Sequence, residues 1–306
     1  MKLVNKLMKI NILYCCNKEY SFGFSVSLIS FLNLHKPNRH KYKIYVVFDL
    51  DITTPYKYLI KHIIEIYRFN YELIHINDLT TNEQLNSLQE EYGFNWLSSI
   101  YKSETPQDVI NEYMPTLNKS AYYRIYGIKY ILSNCNNNDK ILYLDSDTLI
   151  NNPIDSIIKH DQHILYARLD TLAPAIKKAQ IINNLNQYFN SGVLYFNVNL
   201  TTLNHLIDNC LLIIHNSDKY KLHFQDQCAL NIAFNDNFGE LDHQFNYFVC
   251  PQNVRTNNTS ICTIAHFLDR PKPWLDHYPN KDDEIYLEHI KYQKTAKKLY
   301  NINFYM

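Results

Sequence analysis

Apolar runs alternate with segments of helical spacing at the start of the chain. Residues 10–16 and 42–50 are apolar runs, interrupted only by Asn11, Lys43 and Asp49, which is the pattern of strands buried on both faces of a sheet. Residues 20–34, between them, repeat apolar side chains at helical spacing, and a second helix is predicted to begin at Thr54. Residues 71–76 form a third predicted strand. This order of elements predicts a mostly parallel sheet with helices on both faces.

The same alternation continues along the rest of the chain. Residues 120–132 have helical spacing, and residues 140–144 form a fourth apolar run that ends directly before Asp145. Further predicted elements are strands at residues 163–169, 192–198 and 261–267, helices at residues 201–215 and 225–234, and a mobile, Asn-rich loop at residues 254–260. Because no Pro-, Gly- or Ser-rich linker divides them, we predict one α/β domain over residues 1–276 and a separate C-terminal segment over residues 277–306.

The composition narrows the classes of protein to which the chain can belong. Among 306 residues, 30 Lys and Arg balance 30 Asp and Glu, so we expect no nucleic-acid partner, which would need a basic surface. The five glycines are too far apart for a G-x-G-x-x-G motif or a P-loop. The seven cysteines form no C-x-x-C pair, and neither a secretory signal nor a membrane span is recognisable. We therefore expect a reduced, cytoplasmic protein.

Two carboxylates, Asp145 and Asp147, flank Ser146 directly after the fourth predicted strand. Open α/β sheets bind ligands at the carboxyl ends of their strands. Two hard oxygen ligands at this spacing can share a divalent cation, which can in turn bridge a diphosphate. Asp49 and Asp51 also follow an apolar run, so the pattern alone leaves a solvated turn as the alternative at both places.

Six motifs in a fixed order, spread over residues 10–274, resemble the retaining glycosyltransferases of family 8. They are ILYCCNKEY at residues 12–20, AYYRI at 121–125, YLDSD at 143–147, NSGVLYFN at 190–197, QDQCALN at 225–231 and HFLDRPKPW at 266–274. The resemblance implies a GT-A, Rossmann-like α/β fold and the transfer of galactose or glucose from a UDP-sugar with retention of configuration. Since the family includes bacterial lipopolysaccharide galactosyl- and glucosyltransferases, it also implies an acceptor in a lipopolysaccharide or lipooligosaccharide core.

The resemblance assigns a metal site and a donor site to particular residues. His266 would join Asp145 and Asp147 as the third ligand, and this mixed set of carboxylates and imidazole favours Mn²⁺, with Mg²⁺ as a substitute. Without the family, His266 would be interpreted as a hydrogen-bonded histidine at the end of a strand. The donor-binding residues that the resemblance implies are Cys15, Asn17, Tyr20, Arg124, Asp145, Ser146, Asn190 and Lys272.

The roles implied for three of these donor-binding residues agree with their chemistry. Lys272 would place a point charge on the phosphates and stabilise the UDP leaving group, and a solvated surface lysine is the alternative. Arg124 would offer a rigid fork of donors to phosphate or sugar, while a structural ion pair is equally consistent with the residue alone. Asn190 would contact the donor sugar, and it also suits a turn before Gly192.

Three residues receive catalytic positions from the resemblance: Asp170, Asp226 and Gln227. The two carboxylates would accept hydrogen bonds from sugar hydroxyls. Gln227 would lie near the reacting face of the sugar, and glutamine is a poor nucleophile. We therefore expect front-side substitution through an oxocarbenium-like state, in which the leaving phosphate helps to deprotonate the acceptor. Double displacement stays open as the alternative mechanism.

Four positions depart from the family pattern. Asn17 replaces an aspartate at the uracil ring but keeps one acceptor, and Glu19 adds a negative charge near the nucleotide. Cys228 removes an aspartate that could contact the sugar or the acceptor. Asp269 replaces a glycine close to the diphosphate, where a β-carbon and a negative charge are unfavourable unless Arg270 offsets them. We still expect an active enzyme, because the metal and phosphate residues are kept.

The C-terminal segment is basic and aromatic. Such a segment can lie on an anionic membrane, here the cytoplasmic face of the inner membrane beside a lipid-linked acceptor, or it can pack its aromatic rings on the domain. Three alternatives for the function also stay open. They are a transferase acting on a protein or another surface glycan, an inactive UDP-sugar binder, and a metal-dependent phosphohydrolase, which would need more metal ligands than the three identified here.

Overall fold

The computed structural model describes most of the chain. The described residues are 8–37, 41–49, 54–88, 119–171, 174–250, 262–268, 271–279 and 281–304. The predicted mobile loop at residues 254–260 lies outside them, and so do Asp51, Asp269 and Arg270.

A large sheet forms the centre of the fold. In spatial order its strands are β3 (Asn70–His75), β2 (Tyr42–Phe48), β1 (Ile10–Cys16), β4 (Lys140–Leu144), β7 (Phe189–Asn197), β6 (Leu165–Leu169) and β8 (Gly239–Glu240). Strands β1 to β4 are mutually parallel, and so are β6 and β8. Strand β7 runs antiparallel to its neighbours β4 and β6. The prediction of a mostly parallel sheet is therefore confirmed.

Helices cover both faces of this sheet. Within the described residues they are α1 (Ser21–Leu34), α2 (Thr54–Ile66), α3 (Asn82–Asn86), α4 (Tyr123–Leu132), α5 (Pro174–Ile182), α6 (Leu200–His215), α7 (Gln225–Phe234) and α8 (Glu284–Phe304). Helices α4, α6 and α7 contribute to the core on one face, and α1, α2 and α8 to the core on the other. Leu13 of β1 enters the first core, while Ile12 and Tyr14 enter the second. This alternation explains why every position of the strand except Asn11 is apolar.

The order of the strands reverses at the centre of the sheet. From β1 the chain runs outward through β2 to β3, and it then returns to β4 on the other side of β1. The carboxyl ends of β1 and β4 are therefore adjacent, with Tyr14 paired to Leu144. Such a switch point is where open α/β sheets bind ligands. Cys15 and Asp145 lie at this point.

A second, three-stranded sheet lies beside this switch point. Its strands are β5 (Thr148–Ile150), β10 (Ile264–Phe267) and β9 (Tyr247–Val249), with β10 in the middle. Strand β10 runs antiparallel to β5, and His266 pairs with Thr148. This register brings a residue from late in the chain next to Asp147, which directly precedes β5.

Some element boundaries differ from the predicted ones. Strand β7 begins at Phe189 rather than at Gly192. Helix α4 begins at Tyr123, after a 3₁₀ turn at Lys119–Tyr122. Strands β5, β8 and β9 escape prediction because they have only three, two and three residues, too few to show a period. Helix α5 is also unpredicted.

The C-terminal segment forms helix α8, which packs against α1 and α2. The side chains of Ile285, Tyr286 and Ala296 are buried in the core that these helices share. His289 and Gln293 on the same helix are also buried. Across the described ranges, no helix combines the length and the apolar character needed to cross a membrane.

Candidate active site

Three side chains of the types that can bind a metal ion meet at the edge where β1 and β4 end. Asp145 and Asp147 lie on the turn between β4 and β5, and His266 reaches them from β10. The ligand atoms of these three residues, here called the metal cluster, lie within 4.8 Å of one another. His266 Nε2 is 3.3 Å from Asp147 Oδ1 and 3.7 Å from Asp145 Oδ2. The structure thus brings together the three ligands that the resemblance implies.

A chain of hydrogen bonds determines which His266 nitrogen faces the carboxylates. The Gly192 backbone N–H donates to Asn190 Oδ1 at 2.9 Å, so that atom is an acceptor. It also accepts from Asn246 Nδ2 at 3.1 Å. Asn246 Oδ1 is then the acceptor for His266 Nδ1, at 3.1 Å. His266 therefore carries a proton on Nδ1, and Nε2 is the ring nitrogen that faces the two carboxylates.

The metal cluster fits a divalent cation. Asp147 Oδ1 is buried and has no hydrogen-bond partner among the described residues. His266 Nε2 lies 3.3 Å from this oxygen. A buried carboxylate oxygen and a ring nitrogen this close need a positive charge between them, supplied either by a proton on Nε2 or by a bound cation. Two carboxylates and one imidazole suit Mn²⁺, and Mg²⁺ less well.

Gly192 lets His266 reach its position in the metal cluster. A Cβ atom at residue 192 would lie 2.0 Å from His266 Cε1 and 2.7 Å from both ring nitrogens. The imidazole can therefore occupy this place only beside a glycine. Asn190, two residues earlier, lies within β7 and not in a turn before the strand.

Lys272 approaches the metal cluster from the segment after β10. Its Nζ atom lies 2.8 Å from Asp147 Oδ2 and donates to the Phe267 carbonyl at 2.6 Å. The side chain is buried, so the alternative of a solvated surface lysine is wrong. Burial alone would raise the pKa of Asp147, but the adjacent ammonium outweighs it and holds the pKa well below its usual range. Asp147 is therefore ionised, as a metal ligand must be.

Arg124, on α4, connects the metal cluster to the first turn of α7. Its NH2 atom is 3.0 Å from Asp145 Oδ1, and its Nε atom is 3.0 Å from Asp226 Oδ2. Its NH1 atom donates to Ser191 Oγ at 3.0 Å. The guanidinium also lies over the Tyr143 ring, 4.5 Å from the centroid. Arg124 thus forms a buried ion pair and faces the metal cluster with the same group.

Asp170, Asn190, Asp226 and Gln227 form a second buried group, here called the sugar-side cluster. Gln227 Nε2 donates to Asp170 Oδ2 at 3.3 Å, and Asn190 Nδ2 donates to the same oxygen at 3.4 Å. Burial raises the pKa of Asp226 to about 6, although Arg124 opposes this rise. The structure therefore places the three residues assigned to catalysis side by side, close to the metal cluster.

Two further residues hold these groups and were not predicted. Ser191 Oγ lies 3.2 Å from Asp226 Oδ2 and 3.3 Å from Gln227 Oε1, so its single O–H can donate to either acceptor. Its position between Asn190 and Gly192 in the NSGV motif is the signal that could have found it. Asn246, which orients His266, lies at the end of a 3₁₀ turn outside every motif. The sequence offers no signal for it.

A sequence model described as "Glycosyl transferase family 8" matches residues 11–278. The chain belongs to this family. Glycosyltransferase GlyF of Streptococcus pneumoniae is 29% identical over 168 residues, which are 52% of this chain and 39% of that protein. Glycosyltransferase GlyB of the same organism is 25% identical over 218 residues, 70% of this chain and 49% of that protein. The chain thus spans less than half the length of these two curated relatives.

Solved structures confirm the GT-A-type fold of this family 8 chain. The galactosyltransferase LgtC, solved with donor and acceptor sugar analogues, has a TM-score of 0.66 at 16% identity and covers 93% of this chain and 95% of its own. The glycosyltransferase GlyE of Streptococcus pneumoniae has a TM-score of 0.59 at 15% identity, with coverage of 97% and 64%. At such identities the likeness shows the fold alone.

In this family 8 protein, the predicted nucleotide-base loop lies beside the metal cluster. Ser146 Oγ donates to the Cys15 carbonyl at 2.7 Å and ties the loop to the Asp-Ser-Asp turn. Asn17 Oδ1 accepts from the Tyr20 N–H at 2.8 Å, and Asn17 Nδ2 donates to Ser120 Oγ at 3.0 Å. Asn17 therefore shapes the loop with both its amide oxygen and its amide nitrogen.

Cys228, another departure from the family pattern, packs behind the sugar-side cluster. Its side chain is fully buried, with Sγ 3.1 Å from Tyr188 Oη and 3.3 Å from the Phe224 nitrogen. A side chain at this position fills the core below α7. The geometry of Cys228 therefore does not support the expectation that a direct sugar contact is lost at this position.

Proposed function

We propose that this family 8 glycosyltransferase transfers galactose or glucose from a UDP-sugar to a glycan, with a divalent metal ion and retention of anomeric configuration. The observation that carries the proposal is the metal cluster at the switch point of the sheet. Its residue Asp147 also forms an ion pair with Lys272. A divalent cation held by these three ligands, together with the buried ammonium of Lys272, would supply positive charge where a diphosphate leaving group needs it. Membership of the family supports sugar transfer.

The chain would bind the nucleotide diphosphate without a glycine-rich loop. Mn²⁺, or Mg²⁺ in its place, would act as a Lewis acid on the diphosphate when bound to the metal cluster. Lys272 would stabilise the negative charge on departing UDP, because its ammonium lies on the same carboxylate. Cys15, Asn17 and Tyr20 would hold the nucleoside at the end of β1.

The sugar-side cluster supports front-side displacement. Asp170 and Asp226 would accept hydrogen bonds from sugar hydroxyls, with Asn190 as a further contact. Gln227 Oε1, the atom that a double displacement would use as nucleophile, already accepts a hydrogen bond from the Ser191 N–H at 2.9 Å. We therefore favour a step in which the acceptor oxygen bonds to the anomeric carbon on the face that UDP leaves, and the departing phosphate takes the acceptor's proton.

We propose that the acceptor is a lipid-linked glycan at the cytoplasmic face of the inner membrane. The preferred candidate is the core of a lipopolysaccharide or lipooligosaccharide. The resemblance of the motifs supports this choice. The exposed lysines of α8, such as Lys291 and Lys298, also suit an anionic surface. A protein or another surface glycan is the second acceptor class to be tried.

Release of UDP from a panel of UDP-sugars, without acceptor, tests the reaction. We expect slow hydrolysis of one donor in Mn²⁺ and none in EDTA, and the hydrolysed donor identifies the sugar. Metal-dependent binding of UDP with no release from any donor would favour an inactive UDP-sugar binder. If UDP neither binds nor is released, the proposal is contradicted.

Transfer from the identified donor then tests the acceptor. Lipooligosaccharide core and glycan-free peptides are compared as acceptors under the same conditions. We expect transfer to the core glycan, and NMR of the product should show the anomeric configuration of the donor. An inverted anomer would contradict the front-side mechanism, and transfer to the peptides alone would favour a protein acceptor.

A further inference from the structure

Helix α8 follows the residues matched by the family model, which end at residue 278, yet it contacts the segment that carries Lys272. Gln293 Nε2 donates to the Pro273 carbonyl at 2.9 Å and lies 2.9 Å from His289 Nδ1. Both N–H bonds of this amide are therefore used, one of them on the neighbour of Lys272. Gln293 and His289 are 6% and 1% exposed, so water does not compete for these bonds.

The His289 ring fills the space between the two ends of this segment. It stacks on Trp274, with ring centroids 6.3 Å apart and planes at 23°. It also meets Phe267 edge-on, at 5.2 Å between centroids. Phe267 supplies the carbonyl that accepts from Lys272 Nζ. Helix α8 thus contacts residues on both sides of Lys272 along the chain.

The other side of Trp274 is held by α1 and the turn before it. A Cβ atom on Gly23 would lie 2.4 Å from the indole ring, so the ring rests directly on the α1 backbone. Tyr20 meets the same ring edge-on, at 5.7 Å between centroids. Trp274 is therefore fixed between α1 and α8, two residues after Lys272.

We propose that Gln293 and His289 are positioning residues, which hold Lys272 Nζ on the metal cluster through Pro273 and Trp274. Lys272 lies in an irregular segment, whose backbone depends on contacts with other elements for its position. The inference rests on the proposed function, in which this ammonium stabilises departing UDP. A shift of about 1 Å in such a group is enough to slow a reaction markedly.

Gln293→Met tests the inference, because it removes both donors at nearly constant volume and keeps a good helix former. In hydrogen–deuterium exchange without substrate, peptides over residues 264–278 should exchange faster than in the wild type, while peptides over residues 140–150 keep their rate. The kcat of UDP-sugar hydrolysis should fall about tenfold, the effect of about one buried hydrogen bond, with KM nearly unchanged.

Two comparisons separate positioning from a general loss of stability. Tyr292→Phe, on the same helix, removes the hydrogen bond from Asn33 and keeps both bonds of Gln293, so both readouts should match the wild type. In a Lys272→Ala background, Gln293→Met should lower kcat no further, because it acts through Lys272. An equal fall in both backgrounds, or unchanged exchange over residues 264–278, would overturn the inference.

Gln293→Asn is the second variant if the methionine variant does not fold, since it keeps the amide but shortens its reach. The exchange experiment needs no turnover and decides the positioning role by itself. A wild type that binds no UDP and releases none would contradict the proposed function, and the exchange result would still support or overturn the contact between α8 and the Lys272 segment.

Discussion

Arg124 holds two carboxylates and a hydroxyl with one guanidinium group. Asp145 and Asp226 each lie 3.0 Å from a different nitrogen, and Ser191 Oγ lies 3.0 Å from the third. From the residue alone, a structural ion pair and a donor-binding arginine are alternatives. In the folded chain the ion pair aligns the guanidinium beside the metal cluster, which is where the proposed donor phosphates would bind.

Arg124→Lys keeps the charge and loses the planar fork. A single ammonium cannot contact Asp145, Asp226 and Ser191 together, so a buried carboxylate loses its charged partner. We expect the free energy of unfolding, measured by urea denaturation, to fall by about 2 kcal/mol. Metal-dependent UDP release should fall by about tenfold or more. Unchanged stability would contradict the buried ion pair.

His289 makes the stability of the fold depend on pH. Burial lowers the pKa of His289 to about 3, against 6.5 for an unburied histidine. Above pH 6.5 the ring is neutral in both the folded and the unfolded chain. As the pH falls below this value, only the unfolded chain takes up a proton, so stability falls until about pH 3.

Comparison of the wild type with His289→Phe measures this effect. Between pH 6.5 and pH 5, the wild type should lose about 1.6 kcal/mol of unfolding free energy that the variant keeps, since a full pH unit corresponds to about 1.4 kcal/mol and the unfolded histidine is half protonated at pH 6.5. Denaturant unfolding at the two pH values gives the difference directly. Parallel losses in the two proteins would contradict a buried neutral His289.

At the scale of elements, the length of a strand or helix decides whether its hydrophobic pattern can be recognised in the sequence. Strands β1 and β4 are apolar at nearly every position because helices cover both faces of the sheet, and their pattern is visible in the sequence. Strand β5 is equally buried, but its three residues show no period. It forms because β10 pairs with it, which is a tertiary contact. The place of His266 depends on the same contact.

Gly192→Ala tests how closely β7 and β10 approach. The new Cβ atom would overlap the His266 ring and displace a metal ligand. Gly239→Ala is the matched control, because its Cβ atom would lie 2.3 Å from the Tyr166 ring on β6, away from the metal cluster. Both variants should lose about 1–3 kcal/mol of unfolding free energy. Only Gly192→Ala should lose Mn²⁺-dependent UDP release, and an equal loss in the control would contradict a local cause.

At the scale of the whole molecule, the site combines residues that only the topology brings together. Asp145, Gln227 and His266 come from three separate elements, and periodicity cannot say which elements are neighbours. The ordered family motifs could, because their order and spacing belong to a known fold. Asn246 lies outside those motifs, so its bond to His266 became visible only in the structure.

The C-terminal segment also needed the whole molecule to be understood. Its basic and aromatic composition left a membrane surface and packing on the domain as alternatives. Helix α8 buries Ile285 and Ala296 in the core, while Lys291 and Lys298 stay exposed. One face of the helix therefore packs on the domain and supports the Lys272 segment, and the other face is open to solvent.

Binding of Mn²⁺, followed by electron paramagnetic resonance with and without UDP, tests the central claim most directly. The wild type should bind Mn²⁺ at the metal cluster, and more tightly when UDP is present. Asp147→Ala removes a ligand and the partner of Lys272, so this binding should be lost. Asp51→Ala, in the other Asp-x-Asp sequence, should keep it. Equal Mn²⁺ binding by the two variants would contradict the metal site at Asp145, Asp147 and His266.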